Sequence, residues 1–437
     1  MLESRRVGGT SINYGPAPVR TLARAARLLR DVKSWQTFGL HGTAPKINVR
    51  ELLENAKRVA SYAHDKLHLV ESLRSRGIIV EEGIGPVEFV DQNTVRVKNG
   101  RKWQAQKIII AVGGHSRIPG IPGAKLALTY EDIWNLETLP ARVGIVGAAA
   151  TGCQLASIFQ DFGSEVYLFE LSPKILPQED ESVSLALAEA FEKRGMKLKT
   201  GASTVGLEKE TGGIKLRYSS EGKEENALVD AVFFATGWTG NIETLNAAAA
   251  ELKTERGYIR VDSSLRTNIQ HIFAVGDVNG LSMLVQSARK EGRISAENAV
   301  LDRRKTFSHD IVPAGSFTDP EYASVGLTEF QARSEHECVV GIANYRDLLR
   351  PVIDDRMEGF CKVIADSRTH RILGAHVIGE YSVEIIQMVA ACMEGKMTVD
   401  QVAELDLAYP TFTEAVSMAA QKIVRELNLA PFPKMWN

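Results

Sequence analysis

The stretch VGIVGAAATGCQLASIF, Val143 to Phe159, combines residue types suited to holding a pyrophosphate. Val143, Ile145 and Val146 form a short apolar run of the kind that makes a buried parallel strand. Gly147 opens a tight turn, and Gly152 lets the following helix pack closely on the strand. The helix N-terminus then offers unpaired N–H groups and the positive end of its dipole to the phosphates. A second strand, Glu165 to Phe169, ends at Glu170. A carboxylate there accepts both ribose hydroxyls and repels a 2′-phosphate, which favours NAD(H) over NADP(H). The middle position of the turn, normally glycine, is Ala149; a methyl that clashed there would cost about 1–3 kcal/mol. The competing reading is a βαβ unit whose glycines serve packing alone.

Thiol and metal chemistry are harder to find. Cys153, Cys338, Cys361 and Cys392 share no close spacing, so they form neither a redox pair nor a zinc pattern, and no metal site is expected. They read as buried, inert thiols in a reducing cytoplasm. Cys153 is the one cysteine near the phosphate-binding turn. A helix start favours the thiolate, but the residue reads as packing.

The surrounding elements are those of a soluble α/β protein. A length of 437 residues suggests roughly three domains of about 150 residues each. The chain is 44% hydrophobic and 24% charged, with a net charge of −2, which argues against a general nucleic-acid binder. No apolar run approaches the ~18 residues of a membrane span, and MLESRRVGG has no apolar core of a secretory signal. Arg50 to Arg76 carries Leu52, Leu53, Ala56, Val59, Ala60, Val70 and Leu73 at helical spacing and reads as one long amphipathic helix. Strand-like runs follow at Ile78–Val80, Val87–Val90, Thr94–Val97 and Lys107–Val112, and a mixed region continues to about Ser308. From Val312 strands come first and helices last (Ser382–Gly395, Thr413–Leu427), the order of a separate α+β domain.

Several further segments carry a resemblance. GGTSINYGPAPVRTL (Gly8 to Leu22), KIIIAVGG (Lys107 to Gly114), FFATGW (Phe233 to Trp238), TNIQHIFAVGDV (Thr267 to Val278) and RKEGRISAEN (Arg289 to Asn298) span the first two thirds. VPAGSFTDPEYASVGLTEFQA (Val312 to Ala332), GFCKVIADSRTHRILGAHVIG (Gly359 to Gly379) and LAYPTFTEAV (Leu407 to Val416) follow. Together they resemble the pyridine nucleotide–disulfide oxidoreductases, the group of dihydrolipoamide dehydrogenase, glutathione reductase and mercuric reductase. The resemblance implies an α/β fold: two Rossmann-like FAD- and NAD-binding domains, the first shortened at its N-terminus, and a C-terminal α+β dimerisation domain. The corresponding boundaries are 1–116, 117–238, 239–309 (return of the FAD domain) and 310–437.

Site residues carry over by position. For FAD the resemblance implies Glu3 at the ribose, Gly9 and Thr10 beside the phosphates, Gly85 along the adenine and Arg20 near the isoalloxazine. Ala111 and Gly113 belong to the strand-turn that closes the flavin domain, Gly237 to its counterpart behind the nicotinamide domain, and Asp277 to the ribityl chain. Family members begin with a strand, a GxGxxG turn and a helix before the ribose-binding acid, whereas this chain starts two residues before Glu3. The pyrophosphate turn of the FAD site is therefore missing from it, and we expect a misassigned start codon or a shortened chain.

The family's catalytic groups are rewritten. The two redox cysteines are Ser11 and Pro16; the dimer-partner histidine is Tyr409, with Glu414 retained; the glutamate that pairs with the family lysine is Gln154; and a phosphate-side arginine is Trp238. Tyrosine, with a pKa near 10, is a poor base at neutral pH. Thiol exchange needs a thiolate and a base, but hydride transfer needs only a flavin and an oriented nicotinamide. The expectation is a cytoplasmic, homodimeric FAD-dependent NAD(P)H:acceptor oxidoreductase. Its small-molecule acceptor would be a quinone, oxygen or a second nicotinamide, as GCQLASIF also looks like the matching helix of soluble transhydrogenase. The alternatives are an inactive dimeric pseudoenzyme with a binding role, and a reductase using Cys153. Tyr409 either lies at the intersubunit site or fills the pocket left by an imidazole.

Overall fold

The computed structural model describes residues 1–66, 68–98 and 100–429. Its centre is a four-stranded parallel sheet in the order Ala231–Phe234, Arg142–Val146, Glu165–Phe169, Lys197–Lys199. Val143, Ile145, Leu168 and Phe233 are wholly buried in it, each contributing on the order of 1.5–3 kcal/mol. The helix Ala150–Asp161 covers one face through Leu155, Ala156 and Phe159. The Phe159 and Phe233 rings lie 5.1 Å apart. An antiparallel meander (Ala202–Glu210, Gly213–Ser220, Lys223–Val229) packs Leu216 and Val229 against Val232 and Phe234. Sequence reading left this segment as mixed.

The N-terminal region is helical. Its helices Pro16–Asp31 and Val49–Lys66 pack together, with Val19, Leu22, Leu53 and Ala56 in the main core. The single helix expected over 50–76 is two. The first ends at Lys66, and Leu69–Arg74 begins after His68, whose φ of 44° breaks the helical path. Leu67, inside the expected span, lies outside the described residues. Ile78–Val80 forms no strand. There Leu2 and Glu81 make an isolated parallel bridge, and Ile79 is exposed. Ile108–Ile110 pairs with Ile272–Ala274 on one side.

The C-terminal unit is a five-stranded antiparallel sheet, Ala314–Ser316, Tyr322–Gly326, Ile372–Gly379, Gly359–Asp366, Cys338–Asn344. Helices Ser382–Glu394 and Glu414–Glu426 bury Ile386, Val389, Ala419 and Ile423 in its core. Among the described residues no helix is long and apolar enough to cross a membrane.

A buried ion cluster joins this unit to the parallel sheet domain. Asp180 caps the helix Glu181–Lys193. Its carboxylate accepts from Lys362 Nζ at 2.8 Å, the Ser182 N–H at 3.1 Å and the Glu329 N–H at 2.9 Å. Lys362 Nζ is also 2.5 Å from Glu329 Oε2, and Lys362 and Asp180 are both buried. Burial opposes ionisation of Asp180, but Lys362, Ser182 and the Glu329 N–H outweigh it and hold its pKa well below the usual carboxylate range. A depressed carboxylate pKa adds stability above its unfolded value and loses it as pH falls towards the folded one. Asp180→Asn should therefore cost about 3–5 kcal/mol at neutral pH, with the gap narrowing below about pH 4. Urea denaturation across pH reads both effects, and a gap that stays constant into strong acid would refute the ion-pair account.

Candidate active site

The phosphate-type turn forms as its residues dictate. Gly147 follows the strand with φ 98°. A Cβ on Gly152 would lie 1.8 Å from the Gly147 carbonyl oxygen, so only glycine permits this helix–strand approach. Ala149 has extended backbone (φ −80°, ψ −171°) and is exposed, so its methyl adds no backbone strain. The helix Ala150–Asp161 has no side-chain cap, which leaves its first N–H groups available. Glu170 lies beside the turn: Oε2 accepts the Ala148 N–H at 2.7 Å and Oε1 the Ser172 N–H at 2.8 Å.

A second cluster gathers Thr10, Tyr130, Trp238 and Asp277. Asp277 opens the turn after Ile272–Ala274, beside Gly114, whose added Cβ would meet the Asp277 Cβ at 3.2 Å. Burial, then Glu291, raises its pKa. No side chain among the described residues donates to its carboxylate. Buried Glu291 props this turn, accepting the Gly276 N–H at 2.7 Å and Asn279 Nδ2 at 2.8 Å while facing His309 Nε2 at 2.7 Å. The buried Tyr130 hydroxyl donates to Glu131 at 3.0 Å and is hydrogen-bonded with Thr10. Burial raises its pKa, with Glu131 and Asp277 adding to the effect. Its ring lies 5.3 Å from that of Trp238. Sequence reading missed Tyr130, Glu291 and His309. An aromatic matching Trp238 and an acid–base pair far apart in sequence leave no local pattern.

The third cluster converges on Phe317. The Arg20 guanidinium lies over its ring at 3.7 Å. Gln154 Oε1 accepts the Phe317 N–H at 3.2 Å and the Ser316 hydroxyl at 3.3 Å. Gln154 is thus held by backbone and hydroxyl donors of the C-terminal unit.

The remaining candidates are dispersed. Glu3 Oε1 takes the Arg5 N–H at 2.9 Å, and the Gly85 N–H donates to Ser4 O at 3.1 Å beside it. Gly9, with φ 57°, starts the short helix that holds Ser11, whose hydroxyl is 3.5 Å from Gly8 O. Pro16 is the first residue of Pro16–Asp31, a position suited to proline. Ala111 and Gly113 follow Ile108–Ile110, and the Gly113 carbonyl accepts the Asn241 N–H at 3.0 Å. The Gly237 carbonyl accepts the Arg117 N–H at 2.9 Å. Tyr409 is 69% exposed on this chain. Glu414 begins the helix Glu414–Glu426, where the helix dipole favours its charge. Burial, then Glu170, pushes the Cys153 thiol pKa far up, and its Sγ–H donates to Ala148 O at 3.2 Å. Burial pushes Cys361 up to about 12. Cys392 is buried too, whereas Cys338 is only half-buried, a departure from four buried thiols.

A phosphate-type turn on a parallel sheet, a carboxylate-bearing turn on a second parallel pair and an antiparallel C-terminal unit define a multidomain α/β nucleotide-binding architecture. Residues 8–292 match the family model described as pyridine nucleotide-disulphide oxidoreductase, and residues 312–420 match the dimerisation domain of that family. The chain belongs to this family. It is 31% identical to dihydrolipoyl dehydrogenase of Haloferax volcanii, over 96% of this chain and 90% of that protein. It is 30% identical to mercuric reductase of Bacillus cereus, over 96% of this chain and 66% of that protein. Among solved structures, the HOCl-induced flavoprotein disulfide reductase RclA of Escherichia coli superposes with a TM-score of 0.84 at 26% identity, covering 96% of this chain and 93% of its own. LpdA of Mycobacterium tuberculosis shares the fold, with a TM-score of 0.87 at 23% identity and coverages of 97% and 93%.

Gly152→Ala should destabilise the chain by about 1–3 kcal/mol through overpacking at Gly147, while Ala149→Gly should change stability by less than about 1 kcal/mol. Paired denaturation curves decide this. Equal stability of the two variants would show that the turn tolerates a wider helix–strand spacing.

Proposed function

We propose that the protein is a flavin-dependent NAD(P)H:acceptor oxidoreductase that works without a thiol–disulfide relay. The observation that carries this reading is a nicotinamide-type turn, formed with Ala149 at its middle position, in a chain that has Ser11 and Pro16 in place of the family's cysteines. The half-buried carboxylate of Asp277 has no side-chain donor among the described residues, and a polyol chain supplies hydroxyl donors of that kind. Thr10 and Asp277 would hold the flavin chain, with Arg20 beside its ring. Gly147, Gly152 and the uncapped helix would take the pyrophosphate of the nicotinamide, and Glu170 its ribose, which supports NAD(H) over NADP(H). Glu170 would then exchange the Ala148 and Ser172 N–H groups for ribose hydroxyls. A flavin bound there supplies hydride acceptance from the nicotinamide and electron delivery to an acceptor. Gln154, fixed by the backbone at Phe317, orients neutral polar groups and moves no proton.

A homodimer is supported by the dimerisation-domain match and by Val352, Ile353 and Tyr409, exposed on that domain. The intersubunit site would receive Tyr409 and Glu414 of each copy. Four unpaired cysteines fit a reducing cytoplasm. The acceptor is a quinone, oxygen or a second nicotinamide.

A second reading, a cofactor-free pseudoenzyme, is favoured by the Tyr130–Trp238 pair, which brings two aromatic rings into the cluster of Thr10 and Asp277. One experiment separates the two. The full chain is supplied with FAD, freed of excess and treated with NADH anaerobically. We expect the bound flavin absorbance to bleach while lipoamide remains unreduced. Bound flavin that stays oxidised would sink the redox reading. Flavin retained by Trp238→Arg but not by the wild type would establish the second.

A further inference from the structure

The turn that carries Asp277 stands on a carboxylate buried beneath it. After the strand Ile272–Ala274 the chain turns at Gly276, with φ 73°, and a Cβ there would meet the Ala288 Cβ at 3.2 Å. The helix Val285–Leu301 is thus packed closely on the turn. Glu291, one helical turn on from Ala288, shares that face. Glu291 is wholly buried. Its Oε2 accepts the Gly276 N–H at 2.7 Å and Asn279 Nδ2 at 2.8 Å. Asn279 spreads the hold: Nδ2 also donates to Ala274 O at 3.3 Å, and Oδ1 accepts the Leu281 N–H at 2.9 Å. One oxygen of Glu291 therefore secures the chain on both sides of Asp277.

The other oxygen depends on His309. Nε2 of His309 lies 2.7 Å from Oε1, and among the described residues no other donor reaches that oxygen. A carboxylate only accepts, so Nε2 carries the proton. His309 stands between the helix Val285–Leu301 and the strand Ala314–Ser316. Phe307 anchors this segment: it is buried with Leu265, Val275 and Ile294, and its ring lies 4.3 Å from that of His309. A buried carboxylate oxygen left without a donor is costly. Deprived of His309, Glu291 would relieve that cost by turning Oε1 towards the donors that Oε2 holds. The Gly276 N–H bond would then slacken.

We propose that His309 is a positioning residue for the candidate flavin-binding carboxylate. Its N–H holds Glu291, Glu291 holds the Gly276 turn, and the turn aims Asp277 at the hydroxyls of a flavin's polyol chain. This inference rests on the reading of Asp277 as a residue that holds the flavin chain. His309 acts through Glu291 alone.

The test sets the hydrogen-bond donor of His309 against its ring, in the full chain. His309→Phe keeps a ring against Phe307 and removes the donor. His309→Met removes both, and His309→Gln keeps an N–H donor without a ring. His309 is half-buried, so the variants should melt close to the wild type, which a thermal scan verifies. Hydrogen exchange of the Gly276 amide, read by NMR without flavin, should quicken by about tenfold or more in His309→Phe and His309→Met. In His309→Gln it should stay within about threefold of the wild type. With FAD added, the dissociation constant read from flavin fluorescence should follow the same order, rising about tenfold or more in the two donor-free variants. A ring that served packing alone would give the reverse order, with His309→Phe like the wild type and His309→Gln impaired, and would overturn the proposal. Exchange at Gly276 that is equal in all of these proteins would overturn it too, as would FAD affinity indifferent to a slackened turn. A wild type that takes up no FAD would overturn the flavin reading, and the order of Gly276 exchange still decides whether His309 holds the turn.

Discussion

The Asp180–Lys362 ion pair is the constraint on which the arrangement of the two larger units rests. A buried lysine is costly unless it is paired, and Lys362 is paired twice, with Asp180 and Glu329. Asp180 lies on the parallel-sheet unit and Lys362 in the antiparallel sheet, so docking gives Asp180 its cation, while Lys362 also has Glu329 of its own unit. The same carboxylate caps Glu181–Lys193. The segment leading to it is pinned as well: the Leu176 N–H bonds to Ala148 O, and Ser184 Oγ–H to Ile175 O. Ala148 in turn donates to Glu170. An ion pair in the domain interface is thereby linked, through a few hydrogen bonds, to the turn where a pyrophosphate would lie.

Much of this was legible in the sequence and some was not, for physical reasons. Gly147 and Gly152 announced their turn because steric demands on glycine are local. Their roles appear as a positive φ and a 1.8 Å approach. The C-terminal strands and helices were legible because the apolar period of a one-sided sheet or helix is local too. The break at His68 was not, since the apolar spacing continues across it and the left-handed residue carries no glycine to mark it. The Glu291–His309 pair and the Tyr130–Trp238 contact were also hidden. Each joins residues distant in sequence through side-chain partners, and no period reports that.

Pro16, Gln154 and Trp238 share one feature: each suits its local structure. Pro16 stands at the first position of a helix, where its missing N–H is no loss. Gln154 gives one oxygen to the Phe317 N–H and the Ser316 hydroxyl. A glutamate at that point would set a charge where neutral donors suffice. Trp238 finds a ring partner in Tyr130.

Arg20, which shares Phe317 with the neutral side chain of Gln154, holds its charge without an ion pair among the described residues. It does so on the face of Phe317, an attraction available to a planar guanidinium and less so to an ammonium. Arg20 and Gln154 thus meet at one residue, the first on the Phe317 ring and the second at its N–H, and neither contact needs a carboxylate.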